Sequence, residues 1–187
     1  MKTRIQIEYP DWLAHQMDGE HRYRSLEERM RLAIQLAREN VLHKTGGPFG
    51  AAVFESQSGQ LISVGVNLVI SQQNAILHAE VVALMMAHQR LRSFTLNTDP
   101  KIQYELVTSC EPCAMCLGAI FASKIKRVVW GASREDATQI GFDEGPVFPE
   151  SYEYLKARGL EFVGNICRDE AKAVLDLYIQ HGGIIYV

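Results

Sequence analysis

The sequence predicts an α/β fold in which a central sheet carries helices on its faces. Segments with helical periodicity alternate along the chain with short apolar segments that suit buried strands. A chain of 187 residues, 47% hydrophobic and 22% charged, can bury one sizeable core. No repeat, low-complexity tract or linker rich in Pro, Gly or Ser divides it. We therefore expect a lead-in over residues 1–24 and a single domain over residues 25–187.

The first half of this domain predicts a helix followed by a hairpin. Apolar residues recur at helical spacing over residues 25–43, and Ser25 can cap the start of that helix. A Gly-Gly-Pro turn ends it. Residues 50–54 and 61–67 then predict two strands, which the polar turn over residues 56–60 joins into a hairpin.

Helices and strands alternate in the remainder of the chain. An apolar stripe predicts a helix over residues 78–91, and residues 104–108 predict a strand. Pro112 fits the first turn of the next helix, because its missing amide would lack an intrahelical partner there. Residues 128–131 predict a further strand. The remaining candidates are helices over residues 150–157 and 168–181 and a short edge strand over residues 161–165.

Two fragments supply candidate metal ligands. His78 and Glu80 form an H-x-E fragment, and residues 112–116 read Pro-Cys-Ala-Met-Cys. An isolated H-x-E usually belongs to an ordinary helix, and an isolated C-x-x-C can be half of a structural zinc site or a redox pair. Together, in this order, they match the signature of zinc sites that remove amino groups hydrolytically.

Each residue of the signature has a distinct predicted role. Cys113 and Cys116 share a helix face, and exposed amides at a helix start favour their thiolate forms. His78 is the third ligand, which leaves the fourth tetrahedral position for water. Glu80 lies on another side of its helix turn and is predicted to shuttle the proton of that water, whose pKa zinc lowers toward ~7, to a ring nitrogen and then to the leaving amine.

The remaining cysteines leave one alternative open. Cys110 could complete a closed, structural site with His78 and the other two cysteines, although it would have to leave a strand end and Glu80 would then have no role. Three of the four cysteines crowd into one short stretch, which suits a metal site in a reducing compartment better than a disulfide framework.

Charge and hydropathy limit the classes of partner. The chain has 19 Lys and Arg against 22 Asp and Glu, a net charge of -3, so nucleic acid is disfavoured. Residues 1–11 contain no continuous apolar core, and no stretch approaches the ~20 apolar residues of a membrane span. We expect a soluble, cytoplasmic protein.

From about residue 25 to its end, the chain resembles the nucleobase branch of the cytidine deaminase superfamily, which contains bacterial guanine deaminases. Beyond the zinc signature, the resemblance rests on residues 47–49 (Gly-Pro-Phe), 105–109 (Glu-Leu-Val-Thr-Ser) and 141–146 (Gly-Phe-Asp-Glu-Gly-Pro). It implies a three-layer α/β/α fold with a central mixed sheet, a homodimer and one zinc ion per chain. The implied reaction, a step of purine metabolism, converts guanine to xanthine and ammonia.

The resemblance also implies roles for residues outside the zinc signature. Asn67 would hydrogen-bond the base, Phe49 and Phe142 would pack on its ring, and Glu144 would be a second carboxylate that assists proton transfer. Tyr186, near the C-terminus, would close over the site. Without the resemblance, the asparagine suits a turn, the aromatic residues suit packing and the glutamate suits a solvated loop.

Three other functions stay open. A tRNA adenosine deaminase shares the zinc signature but acts on a flipped-out base, which the acidic balance disfavours. A deaminase of another small ring, such as cytosine, a purine nucleoside or an amino-triazine, differs only in the shape of its pocket. In a structural-zinc binding module the domain would be a scaffold, and Glu80→Gln would then have no effect.

Overall fold

The computed structural model describes residues 6–16, 21–97 and 99–186. The predicted lead-in therefore lies partly outside the described residues, and within it a short 3₁₀ helix covers Asp11–Gln16. Helix α1 spans Leu26–Leu42. The Ser25 side chain accepts from the backbone N–H of Glu28, whose carboxylate accepts from the Ser25 N–H in return, and this capping box confirms the predicted start.

Five strands form one mixed sheet in the order β2-β1-β3-β4-β5. Strands β1 (Gly50–Glu55) and β2 (Leu61–Val66) form the predicted antiparallel hairpin, and β1 is also antiparallel to β3 (Tyr104–Cys110). Strands β4 (Arg127–Ala132) and β5 (Glu161–Val163) continue the sheet in parallel. The predicted mixed sheet is confirmed.

Helices cover both faces of this sheet. Successive residues of β1 enter different cores, because Ala52 and Phe54 pack in one cluster and Ala51 and Val53 in the other. The helices after α1 span Ala79–Leu91 (α2), Ala114–Ser123 (α3), Arg134–Gln139 (α4), Pro149–Lys156 (α5) and Arg168–Gln180 (α6). The first cluster includes residues of α1, α4 and α6, and the second includes residues of α2, α3 and α5. The three-layer α/β/α prediction is confirmed.

The start of α3 differs from the prediction. Pro112 lies outside the helix, and Cys113 is its N-cap residue with extended backbone (φ -70°, ψ 174°). The Cys113 sulfur accepts from the backbone N–H of Cys116, so the thiol performs the capping that a serine or aspartate usually performs. Helix α4 was not predicted, since five of its six residues are polar and the single Ala137 gives no apolar periodicity, and its capping box between Ser133 and Asp136 is its main sequence signal.

Helix α2 packs unusually close to the sheet. A Cβ atom at Gly65 on β2 would lie 2.2 Å from the carbonyl oxygen of Ala79 and 2.4 Å from the backbone nitrogen of Ala83. Only glycine allows this approach, which fixes the first turn of α2 against β2. In the described part of the chain, no helix is long and apolar enough to span a bilayer.

Candidate zinc site

The N-terminal ends of α2 and α3 bring three candidate ligands together. His78 is the N-cap residue of α2, Cys113 is the N-cap residue of α3, and Cys116 lies in the first turn of α3. The Nδ1 atom of His78 is 3.6 Å from the Cys113 sulfur and 3.7 Å from the Cys116 sulfur. The ligand atoms of all three lie within 4.8 Å of one another, so they can hold one metal ion.

The chemistry of these donors fits zinc. Hydrogen bonds from the Cys116 thiol, from His78 and from the Cys116 backbone N–H lower the pKa of the Cys113 thiol to about 4. Cys113 is therefore a thiolate at neutral pH, which is the form that binds metal. Two sulfurs and one imidazole suit zinc, and a set of three protein ligands is typical of catalytic sites, which keep one position open.

Cys110 does not join this set. It is the last residue of β3, and its sulfur lies 3.6 Å from the carbonyl oxygen of Ser133. Burial raises the pKa of the Cys110 thiol well above its usual range, so it stays protonated. Among the described residues, the metal-ligating cluster contains His78, Cys113 and Cys116 and not Cys110. The described residues therefore do not form the closed, structural site in which Cys110 would be the fourth ligand.

Glu80 faces the same cavity as the ligands. It lies in the first turn of α2 and is 6% exposed. Burial, followed by the nearby charge of Cys113, raises the pKa of its carboxyl group. Glu80 lines the cavity together with His78 and Cys113. Its carboxyl group can therefore exchange a proton with a small molecule bound in the cavity.

Aromatic side chains line the same cavity as the ligands. The rings of Phe49 and Phe142 meet edge to face with their centroids 5.0 Å apart, and the Phe142 and Tyr186 rings do the same at 5.3 Å. All three rings line the cavity, whose volume is ≈20 Å³. The site is therefore nearly filled by the chain's own side chains.

Glu144 reaches the cavity from the loop after α4. Its carbonyl oxygen accepts from the backbone N–H of Ala114, which ties this loop to the start of α3. Burial, and then the nearby charges of Cys113 and Glu80, raise the pKa of Glu144 to about 8. The loop thus brings a second carboxyl group, protonated at neutral pH, to the ligand cluster.

Asn67 directly follows β2 and is fully buried. Its side-chain oxygen accepts from the Tyr186 hydroxyl at 2.7 Å and from the Val69 backbone N–H at 3.2 Å. Its side-chain nitrogen has no hydrogen-bond partner within the described residues. A buried donor left without a partner is costly, and a ligand acceptor would satisfy it.

Asn40 supports the site, and the sequence analysis did not predict this role. It interrupts the buried face of α1, which is the signal that could have revealed it. Its side-chain nitrogen donates to the carbonyl oxygens of Gly47 and Asn67, both at 2.9 Å, and its side-chain oxygen accepts from the Thr45 hydroxyl at 2.7 Å. A Cβ at Gly46 would lie 1.8 Å from the Asn67 carbonyl oxygen, so glycine is required where this turn meets the end of β2.

Glu111 was not predicted as a site residue either, and hydrogen bonds to its carboxylate stabilise the loop that carries Cys113. The Arg134 guanidinium donates to one oxygen of its carboxylate at 2.7 Å, and the Tyr152 hydroxyl donates to the same oxygen. The backbone N–H of Arg134 donates to the other oxygen at 3.1 Å. Glu111 also lines the cavity, so this network connects the ligand loop to α4 and α5.

Comparisons with known proteins give consistent matches. The family model described as the cytidine and deoxycytidylate deaminase zinc-binding region matches residues 23–132. The guanine deaminase of Bacillus subtilis is 38% identical over 136 residues, which cover 73% of this chain and 83% of that protein. The tRNA-specific adenosine deaminase of Buchnera aphidicola is 32% identical over 135 residues, or 72% and 81% of the two chains. A solved structure of guanine deaminase from Nitrosomonas europaea has a TM-score of 0.90 and 38% identity, covering 95% of this chain and 97% of that one.

Proposed function

The chain belongs to the cytidine and deoxycytidylate deaminase family as a zinc-binding hydrolytic deaminase, and from this premise we propose that its substrate is free guanine, converted to xanthine and ammonia. One observation carries the choice of substrate. The zinc ligands open onto an aromatic cavity, and Tyr186, which lines it, bonds Asn67 behind it, whose buried amide nitrogen has no partner within the described part of the chain. A planar heteroaromatic ring with acceptor atoms complements such a cavity.

The closed cavity favours a free base over a base within an RNA strand. Tyr186 and Phe142 cover the site, and the cavity of ≈20 Å³ holds about one water molecule. A purine therefore enters only when the C-terminal tail or the Glu144 loop moves, and the tail then encloses it. A flipped-out nucleotide needs an open path for its neighbours, and the net charge of -3 gives a polyanion no general attraction.

The ligand set defines the hydrolytic centre. His78, Cys113 and Cys116 would hold the zinc ion, which lowers the pKa of water and thereby supplies the nucleophile at neutral pH. Glu80 accepts a proton from the water molecule and passes it to a ring nitrogen beside the carbon that carries the amino group. The oxygen of the water molecule bonds to that carbon, the amino group leaves as ammonia after it gains a proton, and the added hydroxyl group loses its proton to become the carbonyl group of xanthine.

Glu144 suits the role of donor to the leaving amino group. Burial raises the pKa of its carboxyl group, and the Ala114 N–H keeps its loop beside α3, so Glu144 can give a proton to the amino group and regain one from the hydroxyl group added to the ring. In this proposal the Asn67 amide donates to an acceptor of the base, and Phe49 and Phe142 pack on the ring. Tyr186 covers the ring and fixes the orientation of Asn67.

We further propose that residues 25–187 act as one domain, because a single continuous sheet joins their strands. We also propose a cytoplasmic homodimer that acts in purine metabolism. Exposed apolar side chains at Ile76, just before α2, and at Met85, in the middle of α2, support self-association. Light scattering of the purified protein tests the dimer.

The substrate proposal is tested by ammonia release. Zinc-loaded protein is offered guanine, guanosine, adenine, cytosine, an amino-triazine and an adenosine-containing RNA stem-loop in parallel, and its metal content is measured on the same sample. We expect fast release from guanine and little from guanosine or the stem-loop. Activity confined to another ring would contradict the proposed substrate, whereas no release with zinc bound would contradict the assignment of Glu80 and the ligands.

A further inference from the structure

A concave pocket of ≈350 Å³ lies at the end of α3 that is remote from the zinc ligands. Helix α3 has ten residues and is therefore about 15 Å long, with Cys113 at one end and Lys124 at the other. The pocket is formed by the C-terminal part of α3, the segment before β4 and the end of α5, and its lining residues are Ile120, Phe121, Lys124, Ile125, Lys126, Leu155, Arg158 and Leu160. It shares none of them with the cavity at the zinc ligands.

The floor of the pocket is apolar. Four aliphatic side chains form it, each less than a tenth exposed: Ile120, Ile125, Leu155 and Leu160. They belong to the core on the α2, α3 and α5 face of the sheet. A hydrophobic or aromatic body that covered this floor would gain the free energy of removing apolar surface from water.

The rim of the pocket is cationic. Lys124, Lys126 and Arg158 line it, and none of the described residues that line it is acidic. The Lys124 amino group lies 4.4 Å from the centroid of the Phe121 ring. The Arg158 guanidinium carbon lies 3.4 Å from the centroid of the Tyr154 ring. These cation–π contacts hold two of the three cations at the pocket.

These cations differ from their neighbours in lacking carboxylate partners. Over the residues that the structure describes, neither lysine nor Arg158 forms an ion pair. Arg127, by contrast, adjoins Lys126 in sequence and pairs with both Glu105 and Glu161. In a chain with more acidic than basic residues, three unpaired cations around one pocket form a local site for an anion.

We propose that this pocket binds a small aromatic phosphate monoester, with the ring on the aliphatic floor and the phosphate among Lys124, Lys126 and Arg158. A phosphate monoester carries a charge of about -1.5 to -2 at neutral pH, which three cations complement better than they complement a monoanion. The volume lies near the lower end of the range for small-molecule sites, so the ligand is small. This site is independent of the proposed guanine reaction.

Calorimetric titration of the zinc-loaded protein with phenyl phosphate tests the site. We expect saturable binding, about tenfold weaker binding of inorganic phosphate because it cannot use the floor, and no binding of phenol. The double variant K126Q/R158Q should bind phenyl phosphate at least about tenfold more weakly. The matched control K44Q/K101Q removes the same charge outside the pocket and should bind like the unaltered protein.

Guanine turnover and circular dichroism show whether each variant folds. Lys124→Gln is a second variant at an exposed side chain, and it should weaken binding even if the double variant misfolds. The proposal is overturned by an absence of saturable binding, by equal affinity for phenyl phosphate and inorganic phosphate, or by equal losses in the pocket and control variants. We expect guanine turnover to be unchanged in the pocket variants and in the control variant. If the unaltered protein did not turn over guanine, that result would contradict the proposed reaction but not the phosphate site.

Discussion

The Tyr186 hydroxyl donates to the side-chain oxygen of Asn67 across 2.7 Å and so joins the C-terminal tail to the end of β2. Burial raises the pKa of Tyr186, which keeps its hydroxyl protonated and able to donate. The same bond uses the side-chain oxygen of Asn67 and leaves its side-chain nitrogen, which has no partner among the described residues, for the base in the proposed complex. The tail is therefore part of the proposed substrate site.

Tyr186→Phe removes this hydrogen bond and keeps the ring. We expect KM for guanine to rise about fivefold to tenfold, as for the loss of about 1 kcal/mol, with a smaller change in kcat. Steady-state kinetics measure both constants. Tyr154→Phe, at an exposed tyrosine far from the zinc ligands, is the control. If the two variants behave alike, Tyr186 does not orient Asn67.

Glu80→Gln tests the proton shuttle. The amide keeps the shape of the side chain but cannot accept a proton from water, so we expect kcat to fall by about 10²–10⁴-fold. Zinc content should stay at one ion per chain, because Glu80 lies outside the ligand cluster. Metal analysis and ammonia release on one sample check both statements. Unchanged turnover would remove Glu80 from the mechanism, and lost zinc would make it a ligand.

Asn40→Ala tests the support beneath the site. The change removes the Asn40 donor from the Asn67 carbonyl oxygen and one of two donors from that of Gly47, which keeps the Phe49 N–H, so we expect about 1–3 kcal/mol less stability and a higher KM for guanine. Thermal unfolding and steady-state kinetics measure the two effects. Asn97→Ala removes an exposed asparagine and serves as the control. A lower Tm with unchanged KM would limit Asn40 to a structural role.

Local signals made much of this molecule predictable. The periodicity of α1, its cap at Ser25 and the hairpin of β1 and β2 each depend on neighbouring residues, so the sequence indicated them directly. The ligand cluster was predictable although His78 lies 35 and 38 residues from the two cysteines, because the two fragments together match a known signature. Asn40 and Glu111 were not, since no signature marks them and only the folded chain shows that they bond Asn67 and Arg134.

Asp136 provides a prediction of how stability depends on pH. Its carboxylate accepts from the Arg168 guanidinium at 2.8 and 3.0 Å and from the Ser133 backbone N–H at 2.9 Å. These bonds, that of Arg168 above all, lower the pKa of Asp136 to about 2. An unfolded chain keeps an aspartate pKa of about 4. As the pH falls, the unfolded state therefore binds the proton before the folded state does.

The contribution of Asp136 should thus be complete above about pH 4 and be lost as the pH falls toward 2. Its upper limit is about 2.5 kcal/mol, and the half-exposed Arg168 side chain reduces this to about 1–2 kcal/mol. Urea unfolding of the unaltered protein and of Asp136→Asn at pH 7 and pH 3 measures it. Both proteins are compared free of zinc, so the difference between their free energies of unfolding isolates this group, and it should shrink at pH 3. A difference that stays constant would show that Asp136 titrates in the folded protein as it does in the unfolded chain.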